Sequence, residues 1–595
     1  MLTCMAILTA FLFTWLLLGR VLSSNTVAVE KNIISVVGNG GGGAYVPSKE
    51  NSNVHYGVVV DCGSSGTRLY IYVWPEHSGK KNNLLQIKQL LDKQGVPIVK
   101  KLEPGLSSMV KTPGNATEYM KSLLDFAAEV IPNDKHRETP LYIFATAGLR
   151  FLAPDEQKQI LEDLFTDIVR DYRFQIEKTH IQVIPGKLEG IYSWIAINYV
   201  LGRFESNSTD SVSVSDGHSI SISQQRQSTV GILDMGGASA QIAFEVASDT
   251  PLDSDDVAEF SLGTDEHSSY FKYKIYVTTF LGFGANKAYD KYIEQLIVTS
   301  YPALNSSQNS TNEYVNTAAC LPNGYITKYE RSNRTITLYG NGSFSNCAKY
   351  VLPLLNLNAS CSRAPCSLNG VHQPLINYET ADFYGFSEFW YTMEDILRIG
   401  GPYKHQTFLK ASMSYCGSNW TTIRSWYAKH LFPKADLNRL LLQCFKSAWL
   451  YAFVHDGLKF PMDYKGLKSA SLVNNHDVQW TLGAILYKTR FLPLRTINHI
   501  HSATHYRHTH QHSSTVISII CIIFIFLCLL LYQQKIRSKL RMYLSRRNNI
   551  LYGNTNGYSN SNNNRYQQLS SVIISSTAAP SLIPTNGIAN RLRSV

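Results

Sequence analysis

The apolar run Tyr56-Gly57-Val58-Val59-Val60 ends in Asp61 and opens onto Cys62-Gly63-Ser64-Ser65-Gly66-Thr67-Arg68. The run Val230-Gly231-Ile232-Leu233 ends in Asp234 and opens onto Met235-Gly236-Gly237-Ala238-Ser239. Short continuous apolar runs closed by turn residues read as buried strands, so Val54 to Val73 predicts strand, turn, strand. Between the two starts the period changes. Met120, Leu123, Leu124, Ala127 and Val130 recur at helical spacing and predict a helix over 116–130. Leu141 to Thr146 predicts a strand ending in Ala147-Gly148. Ile160, Leu161, Leu164, Phe165 and Ile168 mark the inner face of a further helix, with Asp155 as its candidate cap. Val183-Ile184 leads into Gly186, and Glu189 opens a helix through Tyr199. Strands alternating with helices, begun twice in the same way 173 positions apart, predict an α/β fold of two related lobes. The ligand cleft would lie between them, above the carboxyl ends of the strands.

Composition changes outside this core. Residues 21–53 are rich in Ser, Asn and Gly and read as a flexible stalk. Ser206 to Ser228 reads as a loop. Asn498 to His512 carries six histidines and reads as a polar stalk, with metal binding or pH sensing as the alternative. Val516 to Tyr532 is an uncharged run of Val, Ile, Leu, Phe and Cys followed at once by the basic stretch Lys535 to Arg547. With Thr515 it reads as a bilayer span with the C-terminal tail in the cytosol. Met1 to Gly19 is also apolar and uncharged, either a retained anchor or a cleaved signal. The expected organisation is therefore 1–20 anchor or signal, 21–53 stalk, and 54–185 first lobe with a return of 470–495. It continues with 186–469 second lobe, 496–514 His-rich stalk, 515–532 transmembrane helix and 533–595 basic tail.

The formal net charge of +11 does not point to nucleic acid. Residues 533–595 hold nine Lys and Arg and no Asp or Glu, so the rest of the chain carries only +2; no polyanion-binding surface follows from that balance. Sequons at Asn115, Asn207, Asn305, Asn309, Asn333, Asn341, Asn358 and Asn419 all fall between the two apolar runs, as expected of an N-glycosylated lumenal or extracellular body. In the same stretch Cys62 sits within the first turn and reads as a free buried thiol. The remaining Cys320, Cys347, Cys361, Cys366, Cys416 and Cys444 read as three disulfides, with sequential pairing expected because it closes short loops. A zinc site is the rival reading, and no paired CxxC supports it.

The two aspartate turns fit phosphate chemistry. Small residues let backbone N–H groups approach an anion, and the nest they form is partly positive. One such turn is weak support, since strand-Asp-Gly turns are common; a pair is stronger. Ser64, Ser65, Gly66 and Thr67 are the candidate cradle for one phosphate, and Gly236, Gly237 and Ala238 for another. Asp61 and Asp234 are candidates to hold a divalent cation through its waters, and so few carboxylates suit Mg²⁺ or Ca²⁺.

Five segments occur in order: Val60 to Arg68, Ala145-Thr146-Ala147-Gly148-Leu149-Arg150, Gly186-Lys187-Leu188-Glu189-Gly190, Asp234 to Gln241, and Trp480-Thr481-Leu482-Gly483-Ala484. They resemble the apyrase-conserved regions of the nucleoside triphosphate diphosphohydrolases, and the likeness spans about residues 54–495. Within that family Tyr56 to Pro75, Phe383 to Phe389 and Gln479 to Leu494 look most similar to the Golgi and lysosomal membrane members. The resemblance implies two actin-like (ribonuclease H-like) lobes, hydrolysis of terminal phosphates of nucleoside di- and triphosphates, and dependence on Ca²⁺ or Mg²⁺. It implies Glu189 as the base, Ser239 and Gln241 as the pair that holds the attacking water, and Thr146 as a hydroxyl on the terminal phosphate. In-line attack needs such a base and charge neutralisation.

For the nucleobase the resemblance implies Tyr391, or Trp390, with Arg439. Gln443 stands where cell-surface relatives often have tyrosine, which puts adenine stacking in doubt and leaves UDP and similar nucleotides favoured. Trp480 is expected to pack behind the site. A lumenal Golgi or lysosomal location is expected, with the plasma membrane and extracellular ATP or ADP as the alternative. A kinase or polyphosphatase of the same fold, or a catalytically silent nucleotide-binding ectodomain, are the competing readings.

Overall fold

The structure, a computed structural model, describes residues 54–77, 84–205, 226–263, 271–299, 313–331, 334–474, 476–491 and 522–544. The N-terminal apolar run, the stalk 21–53, most of the loop from 206 and the His-rich run lie outside the described residues. The chain divides into Met1–Ser502 and Ala503–Val595. In the second unit, residues 522–544 are helical and exposed. Only 522–532 of the expected span are described, and among the described residues no helix is long and apolar enough to cross a membrane.

The first unit holds two large sheets. The first joins β1 (Val54–Cys62), β2 (Thr67–Pro75), β3 (Lys88–Gln89), β4 (Val99–Leu102), β5 (Leu141–Ala145) and β6 (Ile181–Val183) in the order β3-β2-β1-β5-β6, with β4 also on β2. The second is built from β7 (Gly231–Met235), β8 (Ser239–Glu245), β9 (Val257–Ser261) and β10 (Lys272–Leu281). After an accessory three-stranded sheet, β11 (Glu313–Ala318), β12 (Ile326–Arg331) and β13 (Arg334–Gly340), it is completed by β14 (Phe383–Ser387), β15 (Gly401–Pro402) and β16 (Leu467–Ser469). Its order is β15-β16-β14-β7-β8-β10-β9.

The two large sheets repeat one plan. β1 pairs antiparallel with β2 and parallel with β5, and β5 is parallel to β6. β7 pairs antiparallel with β8 and parallel with β14, and β14 is parallel to β16. Even the register repeats: Asp61 stands opposite Arg68 and Asp234 opposite Gln241, seven positions on in both hairpins. The shared strand-turn-strand starts therefore fold into the same local object twice.

Five layers result. Helices α1 (Ala116–Val130) and α2 (Pro154–Asp171) cover the outside of the first sheet, where Val58, Val60, Met120, Leu124, Ile160 and Leu164 share one core. α3 (Gly186–Val200), α4 (Ala285–Thr299), α5 (Leu437–Ala452) and α6 (Trp480–Thr489) are further helices of this unit. α4 and α5 cover the outside of the second sheet, with Leu233, Ile242, Tyr292 and Trp449 in its core. Between the sheets α3 and α6 pack on each other, and their core takes Val59 and Phe144 from one sheet and Ile232 and Val277 from the other. Ile191 to Asn198 are buried without a break, as a helix enclosed on every side requires. The two helices cross closely because Gly483 has no side chain: a Cβ there would stand 1.9 Å from the Tyr192 carbonyl oxygen. α3 leaves the first sheet after β6 and packs on β8 and β10 of the second, whereas α6 follows β16 of the second sheet and packs on β1 and β2 of the first.

The helix over 116–130 has the expected bounds and inner face. The next differs at its start: Pro154 is the first helical residue and Asp155 lies inside the first turn. Proline's fixed φ suits that first position, and the Glu156 carboxylate accepts from the Ala153 N–H at 2.8 Å. The six paired cysteines form Cys320–Cys347, Cys361–Cys366 and Cys416–Cys444, the expected sequential pairing, and Cys62 is free and buried.

Candidate active site

Strand alternation delivers the two aspartates to one place. On β1 Val58, Val60 and Cys62 face the outer core while Val59 faces the central layer; the period of two sends Asp61 with Val59. On β7 Leu233 and Met235 face outward and Ile232 inward, so Asp234 also points to the central layer. The same parity carries Arg68, Thr146, Ser239 and Gln241 inward. It carries Thr67 outward: Thr67 is fully buried, opposite Cys62, with its hydroxyl bonded to Tyr119 of α1 at 2.9 Å. The Thr67 side chain thus points away from the turn, and the expected cradle over Ser64 through Thr67 rests on backbone N–H groups.

The turns after the two aspartates are built alike. Gly63 N–H donates to the Gly66 carbonyl at 3.0 Å, and Gly236 N–H to the Ser239 carbonyl at 3.0 Å. They also meet: a Cβ on Gly237 would stand 3.0 Å from Ser64 Oγ and 2.9 Å from Asn286 Nδ2. The turn at 236–238 is tied to the start of α4, where the Ala285 and Asn286 N–H groups donate to the Gly236 and Gly237 carbonyls. The single helical turn Ala147–Arg150 abuts the first turn, since a Cβ on Gly148 would lie 2.9 Å from Ser64 Cα. The two turns, Ser64-Ser65-Gly66 and Gly236-Gly237-Ala238, thus approach each other at Ser64 and Gly237.

Glu189, in the first turn of α3, is met from both lobes. Arg150 Nη2 donates to its Oε2 at 2.5 Å and Gln241 Nε2 to the same oxygen at 3.1 Å. Gln241 Nε2 also lies 2.9 Å from Ser239 Oγ. Burial raises the Glu189 carboxyl above its ordinary range, and the Arg150 guanidinium opposes that rise. Ser193, one helical turn on, donates to Asp234 Oδ2 at 3.2 Å, and Ser387 Oγ donates to Asp234 Oδ1 at 2.7 Å. Burial also raises the Asp234 carboxyl, against those two hydroxyls. Asp61 is pushed up to about 7 by burial, with Arg68 opposing, the Glu189 and Asp234 charges adding, and the nearby Trp480 side chain lowering it. Thr146 is buried, with its hydroxyl 3.4 Å from the Cys62 carbonyl.

The charges of Glu189 and Asp234 press on Asp61, the one of the three that is buried outright, and Asp61 Oδ1 has no hydrogen-bond partner. That is the surrounding a divalent cation would relieve. Among the described residues no three His, Cys, Asp or Glu side chains group closely enough to grip a metal directly. A cation here would have to be held by Asp61 and Asp234 through its waters, which Mg²⁺ and Ca²⁺ permit.

At the rim the Arg439 guanidinium stacks 4.2 Å from the Tyr391 ring centre and bonds Asp395 at 2.8 Å. Tyr391 lies near enough to Arg68 to act on its charge. Gln443 is fully buried and donates to Ser447 at 3.0 Å, so it presents nothing to a base. A hollow of about 1580 Å³, lined among others by Arg226, Lys272, Arg363 and Tyr487, contains none of the residues above; chemistry rather than volume locates the site. Arg150 and Ser387 lie inside segments that carry the resemblance, which gives them no role, and Ser193 is not singled out by it. Only the four-residue spacing of Ser193 from Glu189, one face of a helix, could have pointed to it.

The GDA1/CD39 (nucleoside phosphatase) family matches this chain over residues 47–504. Ectonucleoside triphosphate diphosphohydrolase 4 of Homo sapiens is 43% identical over 506 residues, 82% of this chain and 82% of that protein. Ectonucleoside triphosphate diphosphohydrolase 7 of Mus musculus is 46% identical over 469 residues, 75% of each. Nucleoside-diphosphatase mig-23 of Caenorhabditis briggsae is 42% identical over 459 residues, covering 76% of this chain and 80% of that one.

Proposed function

The chain belongs to the GDA1/CD39 (nucleoside phosphatase) family, and on that premise we propose that it is a membrane-anchored nucleoside tri- and diphosphatase whose two actin-like lobes close on the polyphosphate of UDP and similar nucleotides. The observation that carries the reading is the approach of the two aspartate turns, Ser64 against Gly237, with Glu189 bridged to both lobes through Arg150 and Gln241.

In this reading the backbone N–H groups of Ser64 to Gly66 and of Gly236 to Ala238 bind successive phosphates. Glu189 accepts the proton of the attacking water, which Ser239 and Gln241 orient, and Thr146 contacts the terminal phosphoryl group. A Ca²⁺ or Mg²⁺ ion held by Asp61 and Asp234 through water would neutralise charge on the phosphate oxygens. The raised Glu189 carboxyl suits a general base, since basicity near the working pH favours proton transfer. Tyr391 and Arg439 would flank the nucleobase, and the burial of Gln443 removes a second stacking partner, which favours UDP over adenine nucleotides.

Exposed sequon asparagines at 115, 341, 358 and 419 and the three disulfides support an N-glycosylated body on the lumenal side of Golgi or lysosomal membranes; the plasma membrane shares that topology. The test is phosphate release by the full chain from UDP, GDP, CDP, UTP, ADP and ATP, with Ca²⁺, with Mg²⁺ and with EDTA. Release from UDP with either cation is expected, lost in EDTA and lowered at least about 100-fold in Glu189→Ala with glycosylation intact. Full activity in EDTA would reject the cation role, and near-normal turnover in the variant would remove Glu189 from the chemistry.

A further inference from the structure

Ser387 closes β14, whose Phe386 stands beside Asp234 and whose Ser387 stands beside Met235 in the parallel pairing with β7. Its backbone sits at φ 56°, ψ −112°, a conformation that a residue with a Cβ adopts only when its surroundings impose it. The surroundings do so. β14 is pinned by β7 on one edge and β16 on the other. The ring of Phe389 packs so closely on Gly385 that a Cβ there would lie 2.6 Å from it. The next residue, Glu388, is buried in an ion pair with Lys446 at 2.9 Å and accepts from Thr392 at 3.0 Å. Among the described residues the polar contact made by the Ser387 side chain is its 2.7 Å hydrogen bond to Asp234 Oδ1. Ser193 holds the other oxygen from α3, so the carboxylate is clasped from both sides and its rotamer is set before anything binds.

We propose that Ser387 is a positioning residue, held in a strained backbone by the buried Glu388–Lys446 pair so that its hydroxyl fixes the Asp234 carboxylate in the orientation that receives the hydrated cation. The inference rests on the reading of Asp234 as a cation-holding residue. It adds a named support that acts through Asp234 and touches neither nucleotide nor cation. Partners of this kind typically change metal affinity about 10–100-fold when lost. Ser387 is unusual in that its two contributions separate: glycine relieves the backbone strain and deletes the hydroxyl, whereas alanine keeps the strain and deletes the hydroxyl.

The experiment compares full-length wild type, Ser387→Gly, Ser387→Ala and Asp234→Asn. It measures the Ca²⁺ and Mg²⁺ concentrations for half-maximal UDP hydrolysis, the KM for UDP at saturating cation, and Tm in EDTA. Ser387→Gly and Ser387→Ala are both expected to raise the half-saturating cation concentration at least about tenfold, with KM for UDP little changed. In EDTA the Tm of the glycine variant should lie above that of the alanine variant. Cation half-saturation within twofold of wild type in both variants, while Asp234→Asn is impaired, overturns the inference and leaves the cation reading standing. An Asp234→Asn enzyme with wild-type cation dependence overturns the cation reading itself. Loss of activity that only follows loss of Tm across the Ser387 pair makes the residue structural and also overturns the inference.

Discussion

Neighbouring glycines of the second turn should answer alanine differently, because only one of them faces the other lobe. A Cβ on Gly237 would stand 2.9 Å from Asn286 Nδ2 and 3.0 Å from Ser64 Oγ, while one on Gly236 would meet nothing nearer than the Ser239 carbonyl at 3.6 Å. Neither glycine has a positive φ, so alanine imposes no backbone strain at either. Comfortable contact begins near 3.5 Å; Gly237→Ala must therefore move its neighbours by about half an ångström. Both are the ends of flexible side chains, so the fold should lose less than about 1 kcal/mol. One of the two, however, is Ser64 Oγ of the facing turn, the candidate phosphate cradle of the other lobe. Misplacement by 1 Å can cost about 100-fold in rate, and half of that distance about tenfold, or about 1.4 kcal/mol of transition-state stabilisation. Phosphate release from UDP at saturating cation should show Gly237→Ala about tenfold down in kcat/KM with Tm within about 2 °C of wild type, and Gly236→Ala within about twofold. Equal impairment of both variants, or wild-type kcat/KM in Gly237→Ala, would refute the closure of two turns on one phosphate chain.

Arg150 holds the Glu189 carboxyl down against its burial, so Arg150→Met should let it rise and move the acid limb of the kcat–pH profile to higher pH; an unmoved limb separates Arg150 from the base. Asp61 binds its proton more tightly in the folded state, at about 7 against an ordinary 3.8. Its favourable contribution is therefore full below pH 3.8 and is lost as pH climbs to about 7. In cation-free buffer Asp61→Asn should gain Tm relative to wild type progressively from pH 4 to pH 7, and a difference that stays flat across that window counts against a buried, cation-hungry carboxylate. Gly483→Ala places a methyl 1.9 Å from the Tyr192 carbonyl oxygen, a backbone atom in a packed layer. It should destabilise by about 2–3 kcal/mol, as overpacking does, so a Tm within 1 °C of wild type would contradict the close helix crossing.

Much of this is legible in the sequence. The apolar runs ending in Asp61 and Asp234, and the helical period of Met120 to Val130, are short-range patterns that tertiary context did not override. The outward turn of the Thr67 side chain is legible too, since a two-residue period counted from Val59 and Asp61 sends its hairpin partner Cys62 to the outer face. Asp155 was displaced from the cap because Pro154 settles more readily as the first helical residue. Other features had no local signature. Arg150 reaches Glu189 across 39 positions, and Ser387 takes a glycine-like conformation that nothing in Gly385-Phe386-Ser387-Glu388 announces. Such geometry is imposed by strands and ion pairs from distant parts of the chain.

The exchanged central helices limit how the cleft can gape. With α3 anchored on the sheet it does not follow from, and α6 anchored the other way, the lobes cannot slide apart without tearing both from their seats. Swivelling about the Gly483–Tyr192 crossing remains. In a swivel, travel grows with distance from the axle: Glu189 and Trp480, each one helical turn from the crossing, would barely shift, while residues further along the sheets would sweep further. Nucleotide could then enter and leave through a jaw whose reacting end stays almost still.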